Sequence, residues 1–189
     1  MPPQADLQLQ ERILKGAQRL WRTRGEHGLT LRAVAKEAGT TTPTVYKRFR
    51  NKEALLLALA MRLRSQLNDD LFAARSVEDV CRRYLRWTEE HPHEYRLLFH
   101  DWTGVFHPDQ PRPGRAWFMS QLAARFGGDP EEYDRAFYAF FLLTHGAASL
   151  LTTPSDEKAK DEVRRNCLAI ADAWMKNIAI LRSTSSKQP

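Results

Sequence analysis

Three threonines stand close together in the chain, where Thr41, Thr42 and Thr44 precede an aromatic and a basic residue, Tyr46 and Lys47. Hydroxyl and ammonium groups at the start of a helix can contact the phosphates and base edges of a nucleic acid, and a threonine methyl can touch thymine. The free N–H groups of a helix N-terminus also attract phosphate. These residue types at this spacing predict a surface that binds a polyanion.

Two short helical patterns joined by a glycine turn position these side chains. Thr30 is a suitable N-cap for a helix over residues 31–38, and Gly39 supplies its end. Thr41 caps the next helix, where Pro43 is tolerated because the first turn lacks helical partners for its N–H groups. This layout is that of a helix-turn-helix, whose second helix enters the major groove of DNA.

The periodicity of the second helix sorts its side chains into two faces. Val45 and Phe49 lie four positions apart and are expected to face inward, which turns Tyr46 outward. Lys52 begins the following helix and can hold a phosphate, and Arg32 lies on the helix that crosses the DNA backbone in this geometry. The alternative is a plain three-helix bundle with capped ends.

The charge of the chain is unevenly distributed. Residues 1–52 contain eleven Lys and Arg against four Asp and Glu, whereas residues 53–189 contain eighteen against nineteen. The whole basic excess therefore accompanies the helix-turn-helix pattern. Such a local field favours a polyanionic partner over a merely solvated surface.

The remaining composition indicates a cytoplasmic protein without a membrane span. Cys81 and Cys167 lie among apolar neighbours in helical patterns, which favours core packing in a reducing compartment. The N-terminal residues lack the layout of a signal peptide. Apolar runs such as residues 137–143 are far shorter than the ~18 residues that a transmembrane helix requires.

Helical periodicity continues to the end of the chain without a convincing strand pattern, which predicts an all-α fold of about nine helices. Asp129 and Pro130 form a strong start signal for a helix over residues 131–151. Pro154 and Ser155 precede a last helix, predicted over residues 156–181.

The segment from residue 9 to residue 60 resembles the N-terminal signature of the TetR family of bacterial transcriptional regulators. The resemblance runs through Leu31–Gly39, Thr44–Phe49 and Asn51–Leu55, and it departs at Pro43 and Arg50. It implies that operator DNA is contacted by the residues matching the family's reading positions: Thr41, Thr42, Thr44, Tyr46, Lys47 and Lys52. Because Pro43 lies in the reading turn, the resemblance does not imply an operator sequence.

The stretches 91–99 and 143–150 resemble a common subgroup of TetR C-terminal domains, which dimerise and often bind a small effector. We therefore expect a helix-turn-helix DNA-binding domain over residues 7–53 and an α-helical regulatory domain, for ligand binding and dimerisation, over residues 54–182.

The two long helices predicted near the C-terminus also favour dimerisation on their own pattern. Residues 137–143 are apolar nearly all round, and residues 146–149 are small enough for close helix contact. Two such helices from each of two subunits, residues 131–151 and 156–181, would form a four-helix interface. The alternative is that both helices are buried within one subunit.

Aromatic residues are numerous in the second half and could line a pocket for a small apolar or aromatic effector. The candidates are Trp87, Tyr95, Phe99, Trp102, Trp117, Phe118, Phe137, Phe141 and His145. The competing interpretation is that these rings form the core and that His145 is a satisfied core histidine. Four further histidines, at positions 91, 93, 100 and 107, fit no known metal-site spacing, so no metal is expected.

These observations favour a ligand-responsive, homodimeric DNA-binding regulator, most simply a repressor. One alternative is a constitutive DNA-binding dimer without an effector. The other is an enzyme that uses the aromatic half of the chain. The sequence contains no glycine-rich phosphate loop or nucleophile elbow, so we predict no catalytic residues and no cofactor.

Overall fold

A computed structural model of the chain describes residues 4–99 and 112–182. These residues form ten α-helices and one 3-10 turn, without a β-strand. In chain order the helices are α1 (Gln4–Gly28), α2 (Leu31–Glu37), α3 (Thr42–Arg48), α4 (Lys52–Phe72), α5 (Val77–Glu90), α6 (Pro92–Phe99), α7 (Pro113–Phe126), α8 (Asp134–Leu151), α9 (Glu157–Lys176) and α10 (Ile178–Leu181). The predicted all-α class is confirmed. No helix in the described ranges is long and apolar enough to cross a membrane.

The described residues divide into two compact units. Unit 1 contains residues 4–66 and 91–99, and unit 2 contains residues 67–90 and 112–182. Helix α6 thus belongs to the N-terminal unit although it follows α5 in the chain. The division into functional domains at residues 53 and 54 stays a prediction.

Unit 1 is built around one face of α1, on which Ile13, Ala17 and Trp21 are buried. These positions recur at the 3.6-residue period and pack with the buried faces of the following helices. The N-terminal half of α4 adds Leu55 and Leu59 to the core. Helix α1 is interrupted where Gly25 adopts a positive φ of 58°. Glycine tolerates this conformation at little cost.

Two polar contacts join α1 to α6. Trp21 donates from its indole Nε1 to the carbonyl oxygen of His93 at 2.7 Å. Arg22 donates from Nε to Oε1 of Glu94, also at 2.7 Å. Because these hydrogen bonds involve buried groups, they fix the position of α6 along α1.

Unit 2 packs α5, α7, α8 and α9 around a common core. Its most buried side chains include Cys81, Met119, Tyr133, Ala148 and Ala171. The start signal at Asp129 is confirmed, since the carboxylate of Asp129 accepts from the backbone N–H of Glu131 at 2.9 Å.

The predicted helix over residues 131–151 begins differently from the expectation. Residues Pro130–Tyr133 form the 3-10 turn, and α8 begins at Asp134. The phenol of Tyr133 donates to the carbonyl oxygen of Gly127 at 2.7 Å. This hydrogen bond holds the 3-10 turn against the end of α7. The residues of the start signal alone do not predict such a contact.

The prediction of one helix over residues 156–181 is wrong at Asn177. Asp156, predicted as the first residue of this helix, is instead its N-cap. Helix α9 ends at Lys176, and the short α10 follows. The side-chain amide of Asn177 donates to the carbonyl oxygen of Ala173 at 2.8 Å. Asparagine side chains compete in this way with the helical backbone, which explains the break.

Candidate nucleic-acid interface

Helices α2 and α3 are joined by a turn whose geometry follows from its caps. The hydroxyl of Thr30 accepts from the backbone N–H of Ala33 at 3.1 Å and begins α2. Gly39 ends the turn after α2 with a φ of 63°, a conformation that side chains other than glycine rarely adopt. An added Cβ at Gly39 would meet no atom within 4 Å, so the requirement for glycine comes from the backbone alone.

The N-terminus of α3 presents the threonine cluster. Thr41 accepts from the backbone N–H of Thr44 at 3.4 Å, and the hydroxyls of Thr41 and Thr44 share a hydrogen bond of 2.8 Å. Thr41 and Pro43 are exposed, and Thr42 and Thr44 are half-buried. Each hydroxyl has more than one lone pair, so the pair can still accept or donate a further hydrogen bond to a phosphate or base.

The inward and outward faces of α3 agree with the periodicity. Val45 and Phe49 are buried, whereas Tyr46 is 54% exposed and Lys47 is exposed. A phenol and an ammonium group are therefore exposed on the same short helix that begins with the threonine cluster. Buried anchors at i and i+4 hold that orientation without using the polar residues themselves.

Lys52 and Arg32 lie on the helices that neighbour α3 in the chain. Lys52 is the first residue of α4, which Asn51 caps by accepting from the N–H of Ala54 at 2.9 Å. Arg32 is exposed on α2. The seven predicted DNA-binding residues thus all belong to unit 1, and they lie on α2, on α3 with its N-cap, and at the start of α4.

Sequence reasoning missed the partner of Lys52. Its Nζ lies 3.4 Å from Oε1 of Glu26, which is itself exposed. The two residues are separated by 26 positions and share no local pattern, so nothing in the sequence indicated the pair. An exposed ion pair of this kind is weak, and the ammonium group remains available to a phosphate.

A model of bacterial regulatory proteins of the TetR family matches residues 13–59, and a model of the tetracyclin repressor-like C-terminal domain matches residues 77–161. The chain belongs to the TetR family. A TetR-family chain with this helix-turn-helix is a DNA-binding transcriptional regulator. No curated protein sequence matches it.

Solved TetR-family structures share its fold. A transcriptional regulator of Streptomyces coelicolor is 22% identical with a TM-score of 0.69, over 92% of this chain and 98% of that chain. A TetR-family regulator of Mesorhizobium loti is 22% identical with a TM-score of 0.67, over the same shares. A TetR variant of Acinetobacter baumannii, solved with minocycline, is 19% identical with a TM-score of 0.68, again over 92% and 98%.

The predicted ligand-binding residues of this TetR-family chain fall into two groups. Tyr95 and Phe99 lie on α6 in unit 1, with ring centroids 5.1 Å apart. The other described candidates belong to unit 2. Trp102 lies outside the described residues, as do two of the four histidines considered for a metal, at positions 100 and 107.

Most of the unit 2 candidates form one aromatic cluster. The ring of Phe118 lies 5.9 Å from Phe137, which stacks on Phe141 at 6.0 Å, and Phe141 stacks on His145 at 5.4 Å. His145 Nδ1 also lies 3.5 Å from the phenol oxygen of Tyr84. Trp87 is buried on α5. Sequence analysis missed two members of the cluster, Phe140 and Trp174.

Beside this cluster, unit 2 contains a cavity of about 300 Å³. Trp117 and Phe118 of α7 line it, together with Val80 of α5. Two cationic side chains also line it, Arg75 before α5 and Arg125 near the end of α7. Gln121 and Arg125 follow Trp117 at intervals of four positions on α7, so helical periodicity could have predicted that they lie on the same face. Arg75 lies outside α7, and this periodicity could not have predicted its position at the cavity.

Proposed function

We propose that this DNA-binding regulator is a cytoplasmic, homodimeric repressor that leaves its operator when a small effector binds unit 2. The threonine-rich start of α3, with Tyr46 and Lys47 exposed beside it, supports operator binding. The cavity in unit 2 is the observation that supports binding of an effector. Two aromatic residues together with two arginines at one cavity suit a small aromatic or apolar molecule that bears an anionic group.

An exposed apolar stripe supports the homodimer. On α8, Tyr138, Leu142 and Leu150 recur at multiples of four positions; Leu142 is 65% and Leu150 60% exposed. Gly146 completes the row. Residues with this spacing lie on one face of a helix, opposite the buried face that includes Phe140 and Ala148. An apolar face of this kind is typical of an interface.

The last two helices also expose apolar side chains. Ile170 of α9 is 53% exposed and Ile180 of α10 is 78% exposed in the single chain. A two-fold contact of α8 and α9–α10 with their copies would cover both stripes. We therefore assign the predicted four-helix interface to these faces.

DNA binding is tested with a labelled duplex taken from the region upstream of the chain's own coding sequence. We expect binding at least tenfold tighter than to an unrelated duplex, with an affinity that falls as salt rises. Tyr46→Ala and Lys47→Ala should each weaken binding by roughly tenfold, because each removes one contact worth about 1.4 kcal/mol. The matched control is Lys158→Ala, an exposed lysine on α9 in unit 2. An equal loss of DNA affinity in all three variants would contradict the assignment of α3 as the DNA-binding helix.

The dimer is tested by light scattering during gel filtration. Introducing charge with Leu142→Glu and Leu150→Glu should yield monomers, because burying an unpaired carboxylate in an apolar contact is costly. Lys158→Glu reverses a charge on the first turn of α9 and should leave the dimer intact. A dimer that survives both leucine changes would place the interface elsewhere.

The effector response is tested by thermal unfolding with a panel of aromatic carboxylates and their uncharged amides. A ligand at one hundred times its Kd stabilises the folded state by about 2.7 kcal/mol. We expect carboxylates to raise the Tm more than their amides, and Arg125→Ala to remove that difference. A stabilising carboxylate should also release the labelled duplex. If no compound shifts the Tm while DNA binding is normal, the chain is the constitutive dimer.

A further inference from the structure

The two cysteines of the chain meet in the core of unit 2. The Sγ atoms of Cys81 on α5 and Cys167 on α9 are 3.6 Å apart, although 86 positions separate the residues. Both thiols are free and buried. Sequence analysis placed each of them in the core but did not bring them together.

The contact favours ionisation of one thiol over the other. A hydrogen bond from Cys81 lowers the pKa of Cys167, whereas the hydrogen bond with Cys167 and burial raise the pKa of Cys81. Thiolates are the nucleophiles in sulfur oxidation, so Cys167 is the sulfur that reacts first. The Cys81 sulfur is close enough to react with the oxidised Cys167 sulfur and form a disulfide.

We propose that Cys81 and Cys167 form a redox-responsive dithiol that closes an intramolecular disulfide between α5 and α9 when the protein meets a peroxide. The sulfurs must approach from 3.6 Å to the covalent distance of about 2.05 Å, a decrease of about 1.5 Å between side chains on two packed helices. Hydrogen peroxide suits the site because it is small and uncharged, whereas burial slows larger oxidants.

The reaction balances with the two thiols and one peroxide. The Cys167 thiolate attacks one peroxide oxygen, the O–O bond breaks, and the departing hydroxide takes a proton to become water, which leaves a sulfenic acid on Cys167. The Cys81 sulfur then attacks the Cys167 sulfur and displaces hydroxide, which takes the Cys81 proton and leaves as a second water. The two sulfurs lose two electrons and the peroxide gains them.

A structural change at this disulfide can be transmitted to the predicted DNA-binding helices through α5 and α4. Val80, the neighbour of Cys81, lines the cavity in unit 2, so a shift of α5 changes the cavity wall. Arg83 of α5 pairs with Asp70 of α4 at 2.8 Å. Helix α4 begins at Lys52 in unit 1, which makes it a continuous connection to the predicted DNA-binding surface. This consequence rests on the proposed function, whereas the bond itself does not.

The bond is tested by treating the folded protein with hydrogen peroxide, unfolding it, and alkylating the remaining thiols. We expect a chain that has lost two hydrogen atoms by mass spectrometry and takes up no alkylating agent, with two alkylated thiols restored by dithiothreitol. Two thiols that stay alkylatable would overturn the proposal. So would a sulfinic acid on either cysteine without a bridge, or a disulfide-linked dimer on a non-reducing gel.

Thermal unfolding supplies a second measurement. A bridge that closes a loop of this length restricts the unfolded chain, so the Tm should rise by roughly 5–15 °C on oxidation. Cys81→Ala and Cys167→Ala each leave one thiol, and their Tm should not rise with peroxide. An unchanged or lower Tm in the bridged protein would show that the folded helices resist the bond. The mass measurement on the unaltered chain stands even if a variant fails to fold.

Regulation is tested by comparing bridged and reduced protein on the labelled duplex. We expect at least a threefold change in affinity, reversed by dithiothreitol and absent in both alanine variants. Equal affinities with the bridge formed would overturn the switch. Failure of the reduced protein to bind any DNA would instead overturn the proposed function and leave the disulfide result intact.

Discussion

Arg22 on α1 holds the carboxylate of Glu94 on α6, with Nε and Oε1 2.7 Å apart across 72 positions of the chain. Arg22 is half exposed, whereas the Glu94 side chain is 1% exposed. The other carboxylate oxygen, Oε2, is buried without a hydrogen-bond partner among the described residues. Glu94 lies in the stretch matched by the C-terminal family model, yet it is anchored to the first helix of the N-terminal unit.

Arg22→Ala should lower the free energy of unfolding by about 1–3 kcal/mol, because it leaves a buried carboxylate without its charged partner. Glu94→Gln should cost less, since the amide oxygen still accepts a hydrogen bond and no charge is left buried. Urea unfolding followed by circular dichroism measures both. The control is Arg24→Ala, an exposed neighbouring arginine. A loss for Arg22→Ala no larger than the control would mean that the pair contributes nothing.

Glu26→Gln should strengthen binding to the labelled duplex by roughly two- to fivefold. Glu26 lies 3.4 Å from the Lys52 ammonium and places a negative charge where a phosphate would approach, so its removal reduces a repulsion of under about 1 kcal/mol. Lys52→Ala should weaken binding and reduce the salt dependence by about one counterion. Glu37→Gln is the control, because Glu37 is already neutralised by Arg19 at 2.6 Å. Equal gains from both glutamines would indicate a general charge effect.

Gly39→Ala should destabilise the fold by roughly 1–2 kcal/mol, the cost of a left-handed conformation for a residue with a Cβ. The space around Gly39 is open, so packing adds nothing to this cost. Gly39→Asn should lose less, because asparagine tolerates the same conformation better. Thermal unfolding of the two variants separates backbone strain from steric overlap. Equal losses would contradict the backbone explanation.

The stability of the protein should fall above pH 10 through Tyr95. Burial raises the pKa of Tyr95 to about 12. In the unfolded chain a tyrosine ionises near pH 10, so between about pH 10 and pH 12 the unfolded state releases a proton that the folded state keeps. The free energy of unfolding therefore falls with rising pH in this window, by up to about 1.4 kcal/mol per pH unit from this group.

Tyr95→Phe removes that contribution, so its urea midpoint should decline less steeply between pH 9 and pH 11 than that of the unaltered protein. Tyr46→Phe provides the comparison, because Tyr46 is exposed in the same unit. Parallel declines in the unaltered protein and the Tyr95 variant would refute the role of Tyr95 in alkaline unfolding.

Local features of the candidate site were predictable from the sequence. The caps at Thr30, Thr41 and Asn51 each join a side chain to a backbone N–H three positions later. The inward pair Val45 and Phe49 follows from helical periodicity. These interactions depend on neighbours in the chain, so their residue types are enough to predict them.

Contacts between distant residues were not predictable in this way. The pairs Lys52–Glu26, Glu94–Arg22 and Cys81–Cys167 join residues 26, 72 and 86 positions apart. Their formation depends on how the helices pack, and the residue types alone fit many other pairings. The break at Asn177 was missed for a different, local reason. Apolar periodicity continues through this position, whereas the side-chain amide of Asn177 donates to the carbonyl oxygen of Ala173 four positions earlier.

By itself, the sequence determined an all-α chain with capped helices, a glycine turn and a basic N-terminal segment, because these properties follow from local propensity and composition. Only the tertiary structure placed α6 in the N-terminal unit, gave Lys52 an acidic neighbour and brought the two thiols into contact. The physical reason is that such contacts depend on which helix faces are buried against one another. That packing is determined by all the core side chains together and not by any single pair of residues.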